Sequence, residues 1–199
     1  MSCVSTHGLP RMTRVIAGQT VSLDGYAEAA DGSFAALYSD FEELMDSAYM
    51  KTSQAETGAV LMGRTTFDMA GDPDSYAVDY EYQVPLFVLT HRPPEREPAR
   101  NENLYVTFVT DGLESAVAQA TAAAGERAVT VVGGADLNRQ LLASGLADEL
   151  RIDVMPVLLG GGRRLFDGLS VDQAPGIRLE KIGIEEAGPR TSLSFRVLR

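Results

Sequence analysis

The sequence has little of several features that define other classes of protein. One of its 199 residues is cysteine, Cys3, and none is tryptophan. A single thiol excludes a disulfide framework within the chain and a zinc site built from thiolates, and it fits a reducing compartment. No apolar run approaches the length of a membrane span, and residues 1–14 have no apolar segment of the signal-peptide kind. We therefore expect a cytoplasmic protein with no membrane partner.

Basic residues are also scarce. The chain has 17 Lys and Arg against 28 Asp and Glu, a formal net charge of −11 and a pI of about 4.6. DNA, RNA and anionic membranes would repel such a surface, so we expect no nucleic-acid partner. A local cluster of arginines can still bind a phosphorylated small molecule.

Strand-like and helix-like segments alternate along most of the chain. Apolar runs predict strands at 15–17, 20–21, 59–62, 86–89, 105–109, 129–132 and 150–155. Helical spacing predicts helices at 37–51, 65–70, 112–124 and 136–144. The alternation predicts a largely parallel sheet with helices on both faces, and consecutive strands at 178–184 and 193–198 predict an antiparallel edge. We expect one domain over residues 13–199, after a tail of residues 1–12.

Two segments are predicted to be loops. Residues 92–103 are rich in proline and charge, which is typical of a surface loop. Residues 71–84 form a stretch long enough for a lid or a pocket wall and contain Tyr76, Tyr80 and Tyr82. These tyrosines can stack on a flat substrate ring or anchor the loop, and the sequence leaves both interpretations open.

Three predicted strand ends carry residues suited to an anion. They are Gly63-Arg64-Thr65-Thr66, Thr90-His91-Arg92 and Gly133-Gly134-Ala135-Asp136. In open α/β sheets ligands bind beyond the carboxyl ends of the strands, where helix N-termini present free N–H groups. Glycine lets the backbone approach a ligand, and arginine binds phosphate through a fork of donors. Each motif alone also fits an ordinary turn or an exposed loop, and none is a GxGxxG or Walker pattern.

Taken together, the order and separation of these motifs resemble the dihydrofolate-reductase-like superfamily. The branch they resemble most is the C-terminal reductase domain of the bifunctional riboflavin-biosynthesis deaminase-reductase. Ser22-Leu23-Asp24-Gly25-Tyr26 and the Pro-Val-Leu-Leu-Gly-Gly-Gly run at 156–162 also match that branch. The resemblance covers residues 13–198. It implies a mixed, mostly parallel, eight-stranded dihydrofolate-reductase-like α/β sheet flanked by helices on both faces, and a homodimer.

The resemblance also implies NADPH as the cofactor. Carried over by position, the expected cofactor contacts are Gly63, Arg64 and Thr65 with the phosphates, Thr90, His91 and Arg92 with the adenosine 2′-phosphate, Gly133, Gly134, Ala135 and Asp136 with the pyrophosphate, and Ala17 and Gln19 with the nicotinamide. The implied function is an NADPH-dependent reductase that transfers a hydride to a small cyclic or heteroaromatic substrate, such as a pterin-, flavin- or riboflavin-precursor-like molecule. The alternatives are a nucleotide-binding protein without turnover and a flavin-using protein on the same fold.

Hydride transfer often also needs a proton donor. Dihydrofolate reductases hold an acid on the helix after the first loop, and Asp40 lies at the edge of the apolar face of the matching predicted helix. Asp24, in the Ser-Leu-Asp-Gly segment, is the second candidate. The alternatives are a capping box of Asp40 with Glu43 or of Ser39 with Glu42, and an Asp-Gly turn at Asp24. We expect the substrate pocket between residues 22–34, 37–51 and 160–162.

Overall fold

A computed structural model describes residues 13–169 and 176–198. The strands within these residues are β1 (Val15–Ser22), β2 (Tyr26–Glu28), β3 (Thr57–Gly63), β4 (Leu86–Leu89), β5 (Val106–Val109), β6 (Ala128–Val131), β7 (Glu149–Met155), β8 (Arg163–Arg164), β9 (Arg178–Ala187) and β10 (Arg190–Leu198). The α-helices are α1 (Phe41–Asp46), α2 (Ala48–Glu56), α3 (Arg64–Asp68), α4 (Tyr76–Asp79), α5 (Leu113–Ala124) and α6 (Ala135–Ala143). Short 3₁₀ helices cover Ala35–Tyr38 and Pro73–Ser75.

The main sheet has eight strands in the order β5-β4-β3-β6-β1-β7-β10-β9. All neighbours from β5 through β7 run parallel, whereas β10 is antiparallel to both β7 and β9. The predicted mixed, mostly parallel sheet with an antiparallel edge is therefore confirmed. A separate two-stranded sheet pairs β2 with β8, and the sequence did not predict it.

A hydrophobic cluster lies on each face of the main sheet. Along β3, Ala59 and Leu61 belong to one cluster, and Val60 and Met62 belong to the other. This alternation is expected because successive strand residues point to opposite faces. Buried residues of α5 and α6 complete the first cluster, and buried residues of α1 to α4 complete the second. Helices thus cover both faces, as predicted.

Helix α5 packs unusually close to the sheet. Its buried positions include Ala116, Ala120 and Ala124, which are small. A Cβ atom at Gly58 of β3 would lie 2.4 Å from the carbonyl oxygen of Ala124. Glycine at position 58 and the alanine stripe of α5 therefore allow the close contact between this helix and the strand that leads to Gly63.

The predicted single helix over residues 37–51 is wrong. The segment consists of the 3₁₀ turn at Ala35–Tyr38, helix α1 and helix α2. The chain is extended at Ser47, with φ −69° and ψ 155°, and the Ser47 hydroxyl accepts a hydrogen bond from the Met50 N–H at 3.0 Å. Serine can cap a new helix in this way, so the break occurs although the apolar spacing continues.

The segment at 71–84, predicted to be a loop, contains the 3₁₀ helix Pro73–Ser75 and α4. Tyr76 stacks on Phe67 with ring centroids 4.8 Å apart, and the Tyr82 hydroxyl lies 2.9 Å from the Ser53 hydroxyl. Tyr80 packs edge-on against Tyr76. The tyrosines therefore anchor this segment to the second cluster, and stacking of Tyr76 on a substrate is ruled out by its burial.

The other predicted elements differ less from the observed ones. The two predicted strands at 15–17 and 20–21 form the single strand β1, and residues 92–103 contain no helix or strand. The predicted tail, residues 1–12, lies outside the described residues. Within the part of the chain that the structure describes, no helix has the length and apolarity needed to cross a membrane.

Candidate active site

A cavity of about 1030 Å³ lies beyond the carboxyl ends of β3, β4, β5 and β6. The predicted cofactor residues that line it are Gln19, Gly63, Arg64, Thr65, Thr90, His91, Arg92, Gly133, Gly134, Ala135 and Asp136. Parallel strands end at the same edge of a sheet, which is why segments distant in sequence meet here.

Three helices begin at this cavity, each directly after a glycine. Gly63, Gly112 and Gly134 are the N-cap residues of α3, α5 and α6, and none of these helix starts has a side-chain cap. A helix leaves its first N–H groups without intrahelical acceptors and has a partial positive charge at that end. The cavity is therefore suited to a negatively charged group, above all where the longer helices α5 and α6 begin.

Arg64 and Arg92 add formal positive charge to the cavity wall. The Arg64 guanidinium donates to the Asp68 carboxylate at 2.7 and 2.9 Å and to the backbone carbonyl of Arg92 at 2.7 Å. The Thr90 hydroxyl accepts the Arg92 N–H at 3.2 Å, which fixes the turn after β4. The Arg92 guanidinium and the His91 imidazole are exposed and bond to no group among the described residues.

Asp136 places a carboxylate in the first turn of α6, where it would repel an anion if it were unpaired. Arg139 and Arg163 both bond to it, and the Arg163 bond measures 3.0 Å. Arg163 also lies 3.7 Å from Glu28 of β2. The carboxylate is thus neutralised, and Arg163 connects the small β2–β8 sheet, which lines the cavity through Ala27, Glu28 and Arg163, to the start of α6.

Ala17 and Gln19 lie on the same face of β1 but have different surroundings. Ala17 is fully buried in the first cluster and does not line the cavity, contrary to its expected place beside the nicotinamide. Helix α6 covers this part of β1, and its Asn138 side chain bonds both the N–H and the carbonyl of Gly18, at 3.1 and 2.9 Å. Gln19 lies beyond that cover and lines the cavity.

Asp40 forms a buried ion pair with Arg190. The two bonds measure 2.8 and 2.5 Å, and the carboxylate does not line the cavity. The hydrogen bond from Arg190 holds the pKa of Asp40 below its ordinary value, against the opposing effect of burial. The predicted capping box of Asp40 with Glu43 is wrong, because Asp40 occupies the N-cap position of α1 but its side chain makes no capping bond. This arrangement argues against Asp40 as a proton donor.

Asp24 connects two loops. It accepts hydrogen bonds from the Ser22 hydroxyl at 2.6 Å and from the N–H groups of Leu159 and Gly160 at 3.1 and 2.8 Å. The Ser22 bond is the main reason that the pKa of Asp24 falls to about 2. The predicted Asp-Gly turn is present, since the Gly25 N–H donates to the Ser22 carbonyl and Gly25 has a positive φ of 85°. Asp24 lies outside the cavity lining.

The sequence reasoning missed an apolar and aromatic wall. Phe34, Tyr38, Phe41 and Met69 line the cavity, and Phe34, Phe41 and Met69 are 40 to 51% exposed. No local pattern singled out these residues. The helix at 112–124 was predicted, but its start at Gly112 was not recognised as part of the site, although it follows a predicted strand as the other two helix starts do. The segment 160–162, expected in the pocket, is absent from the lining, where the neighbouring Arg163 takes its place.

Comparison with known proteins assigns the chain to a family. The family model described as the RibD C-terminal domain matches residues 13–193. The chain belongs to the RibD C-terminal domain family. This membership confirms the predicted resemblance and makes the protein a reductase of the riboflavin-pathway type.

This RibD-type chain also resembles individual proteins. It is 28% identical to the 2,5-diamino-6-ribosylamino-4(3H)-pyrimidinone 5′-phosphate reductase of Methanothermobacter thermautotrophicus, over 83% of this chain and 89% of that protein. A deaminase/reductase of Thermotoga maritima has the same fold, with a TM-score of 0.63 and 14% identity over 94% of this chain and 57% of that one. Dihydrofolate reductase from Enterococcus faecalis, solved with NADP(H), gives a TM-score of 0.58 and 14% identity over 94% and 97% of the two chains. The dihydrofolate-reductase-like fold is therefore confirmed.

Proposed function

We propose that the protein is an NADPH-dependent reductase of a small cyclic or heteroaromatic compound. The observation that carries this proposal is the convergence on one cavity of three uncapped, glycine-initiated helix starts and the exposed guanidinium of Arg92, which makes no bond within the described residues. A cavity of about 1030 Å³ lies at the upper end of the range of ligand pockets, which is about 300–1,000 Å³. It is suited to a dinucleotide together with a small substrate.

The residues present fit the phosphates of a dinucleotide. A Cβ atom placed at Gly63 or Gly112 would meet nothing within 4 Å, so the backbone at both positions borders open space. The N–H groups at the starts of α5 and α6 would hold the pyrophosphate. Arg92, whose guanidinium is exposed and makes no bond within the described residues, would hold the additional 2′-phosphate of NADPH together with Thr90 and His91.

The cofactor would supply a hydride, and the chain would supply orientation and a dry environment. Phe34, Tyr38 and Phe41 line the side of the cavity next to Gln19, where they would pack against a flat ring and exclude water. The relative from M. thermautotrophicus is named as a pyrimidinone phosphate reductase, and the enterococcal structure contains NADP(H). Both names support a nicotinamide cofactor and a heteroaromatic acceptor for this chain.

A thermal unfolding experiment tests the cofactor. NADPH, NADH and FMN are added separately in equal excess, and a ligand that binds only the folded protein raises the Tm. We expect the largest rise with NADPH and a smaller one with NADH. A rise with FMN alone would replace the proposal with a flavin-using protein, and no rise with any of the three would remove the cofactor site altogether.

Oxidation of NADPH, followed at 340 nm, tests turnover. The acceptors offered are 7,8-dihydrofolate and the pyrimidinone phosphate named for the archaeal relative. Consumption of NADPH with either acceptor supports the reductase and indicates the substrate class. Binding of NADPH without turnover would favour a nucleotide-binding protein. One observation favours that second candidate, because Asp24 and Asp40 are both engaged in structural bonds.

A further inference from the structure

A second, smaller cavity of about 130 Å³ adjoins the first. The two cavities share Gln19, Tyr38 and Gly133, so they adjoin at the middle of β1 and the turn after β6. The smaller one, which we call the side cavity, lies against the face of β1 that carries Ile16, Gly18 and Thr20. Titratable or charged groups line it: Tyr38, Tyr49, Glu81, Tyr82, Arg151, Asp153 and Arg190.

Most of these groups are already engaged with one another or with neighbours. Arg190 binds Asp40, and Arg151 binds Glu56 and lies 3.4 Å from Glu149. Asp153 accepts the Tyr49 hydroxyl at 2.9 Å. The hydroxyl of Tyr82 is paired with that of Ser53. These side chains form the fixed polar frame of the side cavity.

Glu81 differs from the rest of this frame. Its backbone carbonyl accepts a bond from the Gln54 side chain at 3.0 Å, but its carboxylate has no hydrogen bond or ion pair with another side chain of the described residues. Burial raises the pKa of Glu81, and the nearby negative charge of Asp79 adds to this effect. A carboxyl in such surroundings keeps its proton to a higher pH than an exposed glutamate does.

The charge of Glu81 affects Tyr38, which lies at the boundary between the two cavities. Burial is the main cause of the raised pKa of Tyr38, and the negative charge of Glu81 contributes to it. Tyr38 lines both cavities, and its hydroxyl bonds to Thr20. Glu81 and the wall of the main cavity are therefore electrostatically connected through the side cavity.

Reduction of a polar double bond by a hydride also consumes one proton. The hydride carries its electron pair to the carbon, and the heteroatom takes the proton. We propose that Glu81 supplies this proton where the two cavities adjoin, at Gln19, Tyr38 and Gly133. The carboxyl O–H bond breaks, the substrate heteroatom gains the proton, and solvent then reprotonates the carboxylate. This inference rests on the proposed reductase function.

The test measures the protonation of Glu81 directly. The full chain is labelled with ¹³C at the glutamate side-chain carboxyls and titrated by NMR, free and with saturating NADPH or NADP⁺, and Glu81→Gln identifies the resonance. We expect this carboxyl to titrate above the other glutamates. We also expect a lower pKa with NADP⁺ than with NADPH, because the oxidised nicotinamide carries a positive charge. Glu102→Gln, in the exposed loop before β5, should remove a different resonance and leave this difference intact.

The charged and titratable groups that can influence this titration are Asp79, Arg151, Asp153, Arg190, Tyr38, Tyr49, Tyr76, Tyr80 and Tyr82. Against the lowering effect of burial, the carboxylates of Glu56 and Asp40 raise the pKa values of Arg151 and Arg190, so both arginines stay charged across neutral pH. If Glu81 titrates with the exposed glutamates, or has the same pKa with NADP⁺ and NADPH, it is not the proton source.

Turnover gives a second readout. With an acceptor that oxidises NADPH, Glu81→Gln should lower kcat on the order of a hundredfold and leave the Kd for NADPH unchanged, and Glu81→Asp should restore part of the rate. An unchanged kcat would refute the proposal. The Tm shift with NADPH distinguishes failure of the proposed function from failure of this inference. If NADPH does not raise the Tm, the reductase proposal is wrong. If NADPH raises the Tm but Glu81 titrates like an exposed glutamate, only the assignment of Glu81 as the proton source is wrong.

Discussion

Arg190 donates two hydrogen bonds to Asp40, and the two side chains are only 1% and 4% exposed. The pair joins the start of β10 to the start of α1. Arg190 also bonds the Leu37 carbonyl and lies 5.8 Å from the centre of the Tyr38 ring. It therefore holds the segment that carries Phe34, Tyr38 and Phe41 against the sheet.

Removal of one partner should destabilise the protein strongly. Asp40→Asn removes the nearer of the two carboxylates that face the buried guanidinium and leaves only Asp153, 3.5 Å away, which should cost up to about 3–5 kcal/mol of the free energy of unfolding. Urea unfolding at pH 7 measures the loss. Because the pKa of Asp40 is lowered in the folded state, its stabilising effect is present above its ordinary value and is lost as the pH falls below it.

The double variant Asp40→Leu with Arg190→Met is the matched control. It removes both charges and fills similar volumes, so it should recover most of the lost stability. If the single and the double variant unfold at the same urea concentration, the ion pair is not what holds this segment.

Arg92 should discriminate NADPH from NADH. Arg92→Ala removes the exposed guanidinium at the expected 2′-phosphate position and should raise the Kd for NADPH about ten- to a hundredfold, because hydrogen bonds between charged groups contribute about 1.5–3 kcal/mol. The Kd for NADH, which lacks that phosphate, should stay the same. Titration calorimetry measures both constants. Arg100→Ala, an exposed arginine of the same loop outside the cavity, should change neither.

Replacement of Gly63 should leave the stability of the fold unchanged but weaken the binding of NADPH. A Cβ atom there meets nothing within 4 Å, and φ is −83°, which any residue adopts. Gly63→Ser should keep the Tm, since serine is a good N-cap residue. Its hydroxyl would take up an N–H group that the cofactor needs and raise the NADPH Kd on the order of tenfold. Gly63→Ala adds the Cβ without the acceptor and should weaken binding less.

Asp24 should stabilise the loops that it connects and take no part in the reaction. Asp24→Ala removes the acceptor for the Leu159 and Gly160 N–H groups, so the Tm should fall and proteases should cut the 156–162 segment faster. With a folded-state pKa of about 2, the difference from the wild type should persist at pH 5 and shrink as the pH falls from about 4 toward 2. Asp167→Ala, at an exposed position, should show neither effect.

The parts of the fold that could be predicted are those with local signals. The buried strands β3, β4 and β6 appear as continuous apolar runs, and their glycine or threonine ends share an edge because parallel strands must. The convergence of Gly63, Thr90 and Gly133 on one cavity follows from that rule.

The failures concern interactions that only the folded chain creates. Nothing near Asp40 in sequence indicates Arg190, which lies on the last strand, and the apolar spacing across Ser47 continues although the helix stops there. Glu81 also looks like one acid among several in a loop. Its distinct character comes from partial burial between Tyr82 and α2, which depends on tertiary packing.

The position of β1 has a consequence for how the protein forms. Both neighbours of this strand, β6 and β7, follow it at a long distance in the sequence, in the second half of the chain. Its backbone and apolar side chains must wait unpaired until those strands are made, and such long-range parallel pairing is slow and open to aggregation. The cavity wall at Gln19 can therefore assemble only late in folding, and a chain shortened before β7 would leave β1 without one of its partners.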